Sequence, residues 1–141
     1  LEQYDMHSSA GSCYHFQLAD AAGNSAVVEY IDNEFVVLKA DEGYQMATNF
    51  LLSDKKFNFG TGQDRYGILE SSLNRCGGVV KDEQAGMDLL QAASKDWHVS
   101  ETSGRLDATQ WSIVFNCTDL TAKVVTGRQY DKPAHTFSLT Q

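Results

Sequence analysis

Two polar residues near the middle of the chain have the types that chemistry on a carbonyl group needs. In "YQMATNF", residues 44–50, Asn49 follows Tyr44 and Met46, which are spaced like the inward positions of a strand. Two roles are open to it. Asn tolerates positive φ and bonds its own backbone, so it can turn the chain; a side-chain amide held at a strand end can also aim an N–H at charge developing on a reacting carbonyl. Further on, "GTGQDRYG" puts Arg65 at the start of a helix behind a glycine-containing loop, where the helix dipole favours an acid instead. On spacing alone Arg65 reads as a surface arginine.

Other constellations carry less. His7, His15, His98 and His135 are scattered with no H-x-x-x-H pair, so no metal site is expected, and His15 reads as a hydrogen-bonded strand histidine. Gly60-x-Gly62-x-x-Arg65 lacks the third glycine of a dinucleotide fingerprint and no βαβ unit surrounds it. "GNSAV" at 23–27 is not a nucleophile elbow, because Val27 stands where the second glycine belongs. Asp41-Glu42 and Asp82-Glu83 read as a turn and a helix start. Cys13, Cys76 and Cys117 are odd in number and widely spaced, which suggests reduced thiols in a cytoplasm. "NCT" at 116–118 matches a glycosylation acceptor but sits in an apolar, strand-like run.

The elements that would position Asn49 and Arg65 follow from periodicity. "CYHFQLA", "AVVEYI" and "EFVVLKA" alternate with the turn signals "DAAGNS" and "DN", which predicts a three-stranded antiparallel meander over 14–39. A fourth strand is expected at Tyr44–Thr48. Two helices follow. "TGQDRYGILESSLNRC" has Thr61 three residues ahead of Asp64, as in a capping box, and Tyr66, Leu69, Leu73 and Cys76 share a face. "KDEQAGMDLLQAAS" places Ala85, Leu89 and Ala92 on one stripe with Gly86 and Leu90 beside it. A polar loop is expected from Lys95 to Ala108, after which "TQWSIVFN" and "TAKVVTG" form a β-hairpin around the turn "CTDL", with "HTFSL" beyond Pro133 a further strand candidate. Strands segregated from helices predict an antiparallel α+β architecture.

Composition narrows the partners. A chain of 141 residues with 42% hydrophobic content can bury one core, so disorder is not expected. Its net charge of −8 repels nucleic-acid backbones and anionic membranes, leaving a small molecule or another protein. No apolar run reaches the roughly 18 residues of a membrane span, and the start "LEQYDMHSSAG" shows no basic and apolar signal regions.

Several segments in order, "HFQLADAAGNSAVVEY", "MATNF", "GQDRY", "TQWSIVFN" and "GRQYDKPAHTFSL", resemble the choloylglycine hydrolase family of linear-amide hydrolases, which includes penicillin V acylase, bile salt hydrolases and penicillin acyltransferases. The likeness runs from Tyr14 to Leu139. It implies an N-terminal-nucleophile hydrolase with the αββα four-layer sandwich fold, in which the thiol of an N-terminal cysteine attacks the amide carbonyl and forms a thioester that water releases. In this resemblance Asn49 supplies an oxyanion-hole N–H and Arg65 lies near the nucleophile, where a guanidinium favours the thiolate. No cofactor is implied. Tyr44 and Trp97 are aromatic candidates for an acyl pocket but more often anchor a core or a loop, and neither is assigned.

Phe50 and Leu51 stand where many family members have a small residue and a proline, which moves the likeness away from the bile salt enzymes. Leu1 cannot attack, and the three cysteines are internal. The expectation is therefore that residues 1–141 form a single segment, the C-terminal part of the domain, inactive without an N-terminal half that brings the cysteine. The expected partners are an amide substrate, that missing half, and further copies of the chain through exposed strand edges and apolar faces. The competing reading is a non-catalytic, β-rich module that binds a small ligand or a protein.

Overall fold

A computed structural model describes residues 15–20, 22–31, 34–40, 43–53, 60–101 and 104–140. The chain divides into two compact units, Leu1–Glu70 and Ser71–Gln141. All strand pairs among the described residues are antiparallel, giving mixed α+β structure.

In the first unit, β1 (His15–Ala19), β2 (Ser25–Ile31) and β3 (Glu34–Lys39) form a sheet in that order. The register pairs His15 with Glu29 and Glu29 with Val36, so the predicted meander is present. Its first turn is held by Asp20, whose carboxylate accepts from the N–H groups of Ala22 and Asn24 and from the Asn24 side chain. The Asp32-Asn33 turn lies outside the described residues. Period-two alternation gives β2 two apolar faces: Val28 on one, Val27 and Glu29 on the other, all three buried. On the Val28 face, Phe16, Leu18 and Val37 are exposed.

Residues 44–53 lie against the strands of this sheet. The Gln17 side chain donates to Gln45 O (2.9 Å), the Gln45 side chain donates to Leu38 O (2.8 Å), and Leu52 and Ser53 bond the Glu29 carboxylate. These side-chain bridges take the place of a strand ladder. No strand forms over Tyr44–Thr48; the chain instead pairs two residues later, where β4 (Asn49–Phe50) meets β5 (Gly60–Thr61). Met46 and Leu51 are the buried side chains of this stretch. Helix α1 (Gln63–Arg75) follows after Gly62, and the boundary between the units falls within it. Thr61 is a strand residue, not the helix cap that the spacing suggested.

In the second unit, α2 (Glu83–Ala92) opens on Asp82, whose side chain accepts from the Ala85 N–H at 2.7 Å. This is an N-cap of the usual kind. The polar 95–108 segment closes into a small pair, β6 (His98–Val99) with β7 (Leu106–Asp107), and its ends are clipped together by the Thr109 N–H donating to Lys95 O and the Lys95 N–H donating to the Thr109 hydroxyl. Strands β8 (Trp111–Asn116), β9 (Thr121–Thr126) and β10 (His135–Ser138) then form a second three-stranded sheet with β9 in the centre. Helix α2 packs on β8. Gly86 faces this strand, where a Cβ would sit 3.4 Å from Val114 Cγ1, an ordinary contact distance.

The opposite face of this sheet carries Trp111, Phe115 and Phe137, which are 64%, 60% and 55% exposed. Met87 is the buried side chain of α2. The predicted stripe of Ala85, Leu89 and Ala92 instead lines an open groove with Val79 and Val80.

Candidate functional site

The geometry around Asn49 begins with two glycines. Gly60 has φ +115°, and a Cβ there would lie 2.1 Å from Asn49 O, so only glycine lets β4 and β5 approach this closely. Gly62 has φ +93°, and its Cβ would lie 2.6 Å from Arg65 Nη2. The Thr48 hydroxyl donates to Gly62 O at 3.0 Å, closing the loop from the other side. The "GTG" run thus makes a tight passage that delivers the first turn of α1 onto the strand end.

Across that passage Arg65 Nη2 donates to Asn49 Oδ1. The two residues singled out in the sequence, 16 positions apart, are brought into direct contact. The bond has a chemical consequence. An Asn side chain has one acceptor oxygen and one NH2 group, and occupation of Oδ1 by a guanidinium fixes which end is which. The Nδ2 donors then point away from Arg65. Asn49 is exposed, so these donors are open to an incoming group.

Beside the pair, Phe50 meets Tyr66 edge-on with ring centroids 5.4 Å apart. Burial, and secondarily the charge of Glu70, pushes the Tyr66 hydroxyl above its ordinary value of 10.0, so it stays a neutral donor. A cavity of about 330 Å³ is lined by Tyr44, Met46, Leu52 and Tyr66, with Lys39 and Glu70 adding one charge of each sign. Gln45 also contributes, and its Oε1 is buried with no partner among the described residues. Tyr44, left unassigned on sequence, therefore lines a cavity that shares Tyr66 with the aromatic contact. Trp97 lies in the second unit and is exposed.

Glu29 is the residue the sequence reading missed. Its side chain is fully buried and accepts from Leu52 N (2.7 Å), Ser53 N (3.0 Å) and the Ser53 hydroxyl. His15 Nδ1 stands 3.7 Å from Glu29 Oε1. The only signal in the sequence was that Glu29 falls in phase with Val27 within "AVVEYI", on a face that alternation marks as buried.

Other candidates resolve as structural. The Asn116 side chain donates to Glu83 and Asp119 and accepts from the Thr118 and Asp119 N–H groups, so it is engaged in a turn and not presented as a glycosylation acceptor. Arg128 donates to Ser94, to Lys95 O and to Asp96, just past the end of α2, where a cation suits the helix dipole. Among the described residues no three His, Cys, Asp or Glu side chains are grouped to hold a metal ion. No helix there is long and apolar enough to cross a membrane. No protein-family description, curated protein or solved structure matches the chain.

Proposed function

We propose that this chain is the C-terminal part of a cysteine N-terminal-nucleophile hydrolase of the choloylglycine hydrolase type, which cleaves a linear amide through a thioester. One observation carries the reading: Arg65 holds Asn49 by its oxygen and leaves the amide N–H groups facing outward at a strand end. Such a donor, fixed before the reaction, stabilises the oxyanion of a tetrahedral intermediate without reorganising when charge develops. The guanidinium adds to this by drawing electron density from the amide, and its remaining N–H groups are available to a thiolate nearby.

In this reading the attacking cysteine comes from an N-terminal half. Its thiolate adds to the carbonyl carbon, the oxygen takes the negative charge against Asn49, and the amine leaves with a proton from the cysteine's own α-amino group. Water then attacks the thioester and frees the acid. The two sheets support the αββα expectation. Each presents one apolar face, Phe16, Leu18 and Val37 on the first and Trp111, Phe115 and Phe137 on the second, which sandwich folds bury against another sheet.

The decisive experiment places Asn49→Ala in the protein that also carries the nucleophilic cysteine. Turnover of a chromogenic amide should fall by about 10²-fold or more with the circular dichroism spectrum unchanged. Unchanged turnover would leave Asn49 a strand residue whose contact with Arg65 is structural only. Cysteine-independent ligand binding with no turnover in the intact protein would favour the binding module. The isolated 141-residue chain should also self-associate through its open faces, and a monomer by size-exclusion at high concentration would count against them as sandwich surfaces.

A further inference from the structure

We infer that Glu29 is a positioning residue for Asn49: a buried carboxylate that fixes the chain on the far side of the oxyanion donor. The inference rests on the reading of Asn49 given above. A carboxylate removed from water is costly unless hydrogen bonds replace its hydration. Glu29 is fully buried on the central strand β2, and what it receives there is two backbone N–H groups and a hydroxyl, all from Leu52 and Ser53.

Backbone N–H groups do not need a charge to be satisfied, because an ordinary strand ladder would do it. Here a ladder is absent over 51–53, and a charge-assisted acceptor takes its place. The consequence falls on Asn49. Its backbone is pinned on one side by pairing with Thr61, and its side chain by Arg65; three residues later the chain is pinned again at Leu52. Only Phe50 and Leu51 separate the two anchors. Between fixed points this close, the strand end has little room to slide or rotate, so the direction of the Asn49 amide is set from both ends.

The test uses Glu29→Gln, with Ser53→Ala as a milder companion. In Glu29→Gln one carboxylate oxygen becomes an NH2 group. Because both oxygens accept N–H donors, Oε1 from Leu52 and Oε2 from Ser53, either amide orientation sets donor against donor. Ser53→Ala removes only the hydroxyl and keeps both backbone bonds. In the 141-residue chain, amide exchange at Leu52 and Ser53 should accelerate about 10-fold or more in Glu29→Gln while β2 and β3 stay protected. The side-chain amide resonances of Asn49 should move in Glu29→Gln and, by less, in Ser53→Ala.

In the intact enzyme Glu29→Gln should lower kcat about 10-fold with KM unchanged, and adding it to Asn49→Ala should lower kcat no further. A folded Glu29→Gln with Asn49 resonances in place overturns the inference. So does a Glu29→Gln that fails to fold alongside a Ser53→Ala that leaves those resonances unmoved, because Glu29 is then only a fold anchor. An intact protein with no amidase activity at all defeats the hydrolase reading alone, and the resonance measurement still decides what Glu29 holds.

Discussion

The two three-stranded sheets have the same plan, consecutive antiparallel strands with the second in the middle, but each fastens its covering layer with a glutamate in a different way. In the first unit Glu29 points inward from the central strand, is fully buried, and holds irregular backbone. In the second, Glu83 points outward from α2, accepts from Asn116 Nδ2 (3.1 Å) and the Thr121 hydroxyl (3.0 Å), and pairs with Lys123 at 2.6 Å. The helix brings its own internal hydrogen bonds, so its tether can be partly solvated and exchangeable. The 44–53 segment has few bonds of its own and depends on an anchor in the core. A buried charge is a costly way to hold a loop, and it is used where the loop carries the candidate oxyanion donor.

Removing the two anchors should break the symmetry most strongly. Glu29→Leu leaves the Leu52 and Ser53 N–H groups without their acceptor, and a buried orphaned donor costs about 1–3 kcal/mol. Global or local unfolding of the first unit should therefore become easier by about 2–4 kcal/mol, read as loss of protection at β2 in hydrogen exchange. Glu83→Leu should perturb the second unit by clearly less, because its partners can turn to water. Equal losses in the two units would mean that burial of the anchor is not what distinguishes them.

The glycines give a smaller and opposite-signed pair. Gly62→Ala meets a positive φ and the Arg65 guanidinium together, so it should destabilise by about 1 kcal/mol or more and displace Arg65 from Asn49. Gly86→Ala sits inside α2 with ordinary contact distances to Val114, and should stabilise by about 0.4–1 kcal/mol through helix propensity and reduced freedom of the unfolded chain. Thermal melts of both variants check the signs. A stabilised Gly62→Ala would show that the passage beside Asn49 is not tight.

What was legible in the sequence divides along the same line. The first meander and the β8–β9 hairpin were readable because their strands are bounded by turn residues, signals that act within a few residues; β10 extends that hairpin into a second three-stranded sheet. The strand expected at Tyr44–Thr48 does not form, and the reason is physical. Tyr44, Met46 and Thr48 do alternate, and Met46 is buried, but alternation records which side chains face inward and not whether the backbone has a partner strand. Thr61 and Asp64 had capping-box spacing, yet Thr61 was already committed to β5. Met87, not the expected stripe, is the buried residue of α2, because the helix turns the face bearing Gly86 toward β8 and leaves Ala85, Leu89 and Ala92 in an open groove. Glu29 was invisible because its donors lie 23 and 24 residues away, and no local pattern marks a strand glutamate as an anchor. Asn49 and Arg65 were reached through resemblance; their contact depends on two glycine conformations that spacing does not encode.

Acid gives the mildest separation of the two designs. Glu83 is held below its ordinary value of 4.5, first by the hydrogen bond from Lys123 and then by those from Asn116 and Thr121. Asp82 is held below 3.8 chiefly by the Ala85 N–H that it caps. A carboxylate depressed in the folded state stabilises it above the unfolded value and loses that contribution as pH falls through the folded value. Both groups sit at the start of α2, so exchange protection in its first turns should begin to fall below about pH 4.5, ahead of protection in the strands of the same unit. Glu83→Gln, which retains an acceptor oxygen but does not titrate there, should flatten that dependence, and Asp82→Asn should flatten the lower part of it. If α2 keeps its full acid sensitivity in the double variant, other carboxylates set that dependence, and neither the tether around Glu83 nor the Asp82 cap is its source.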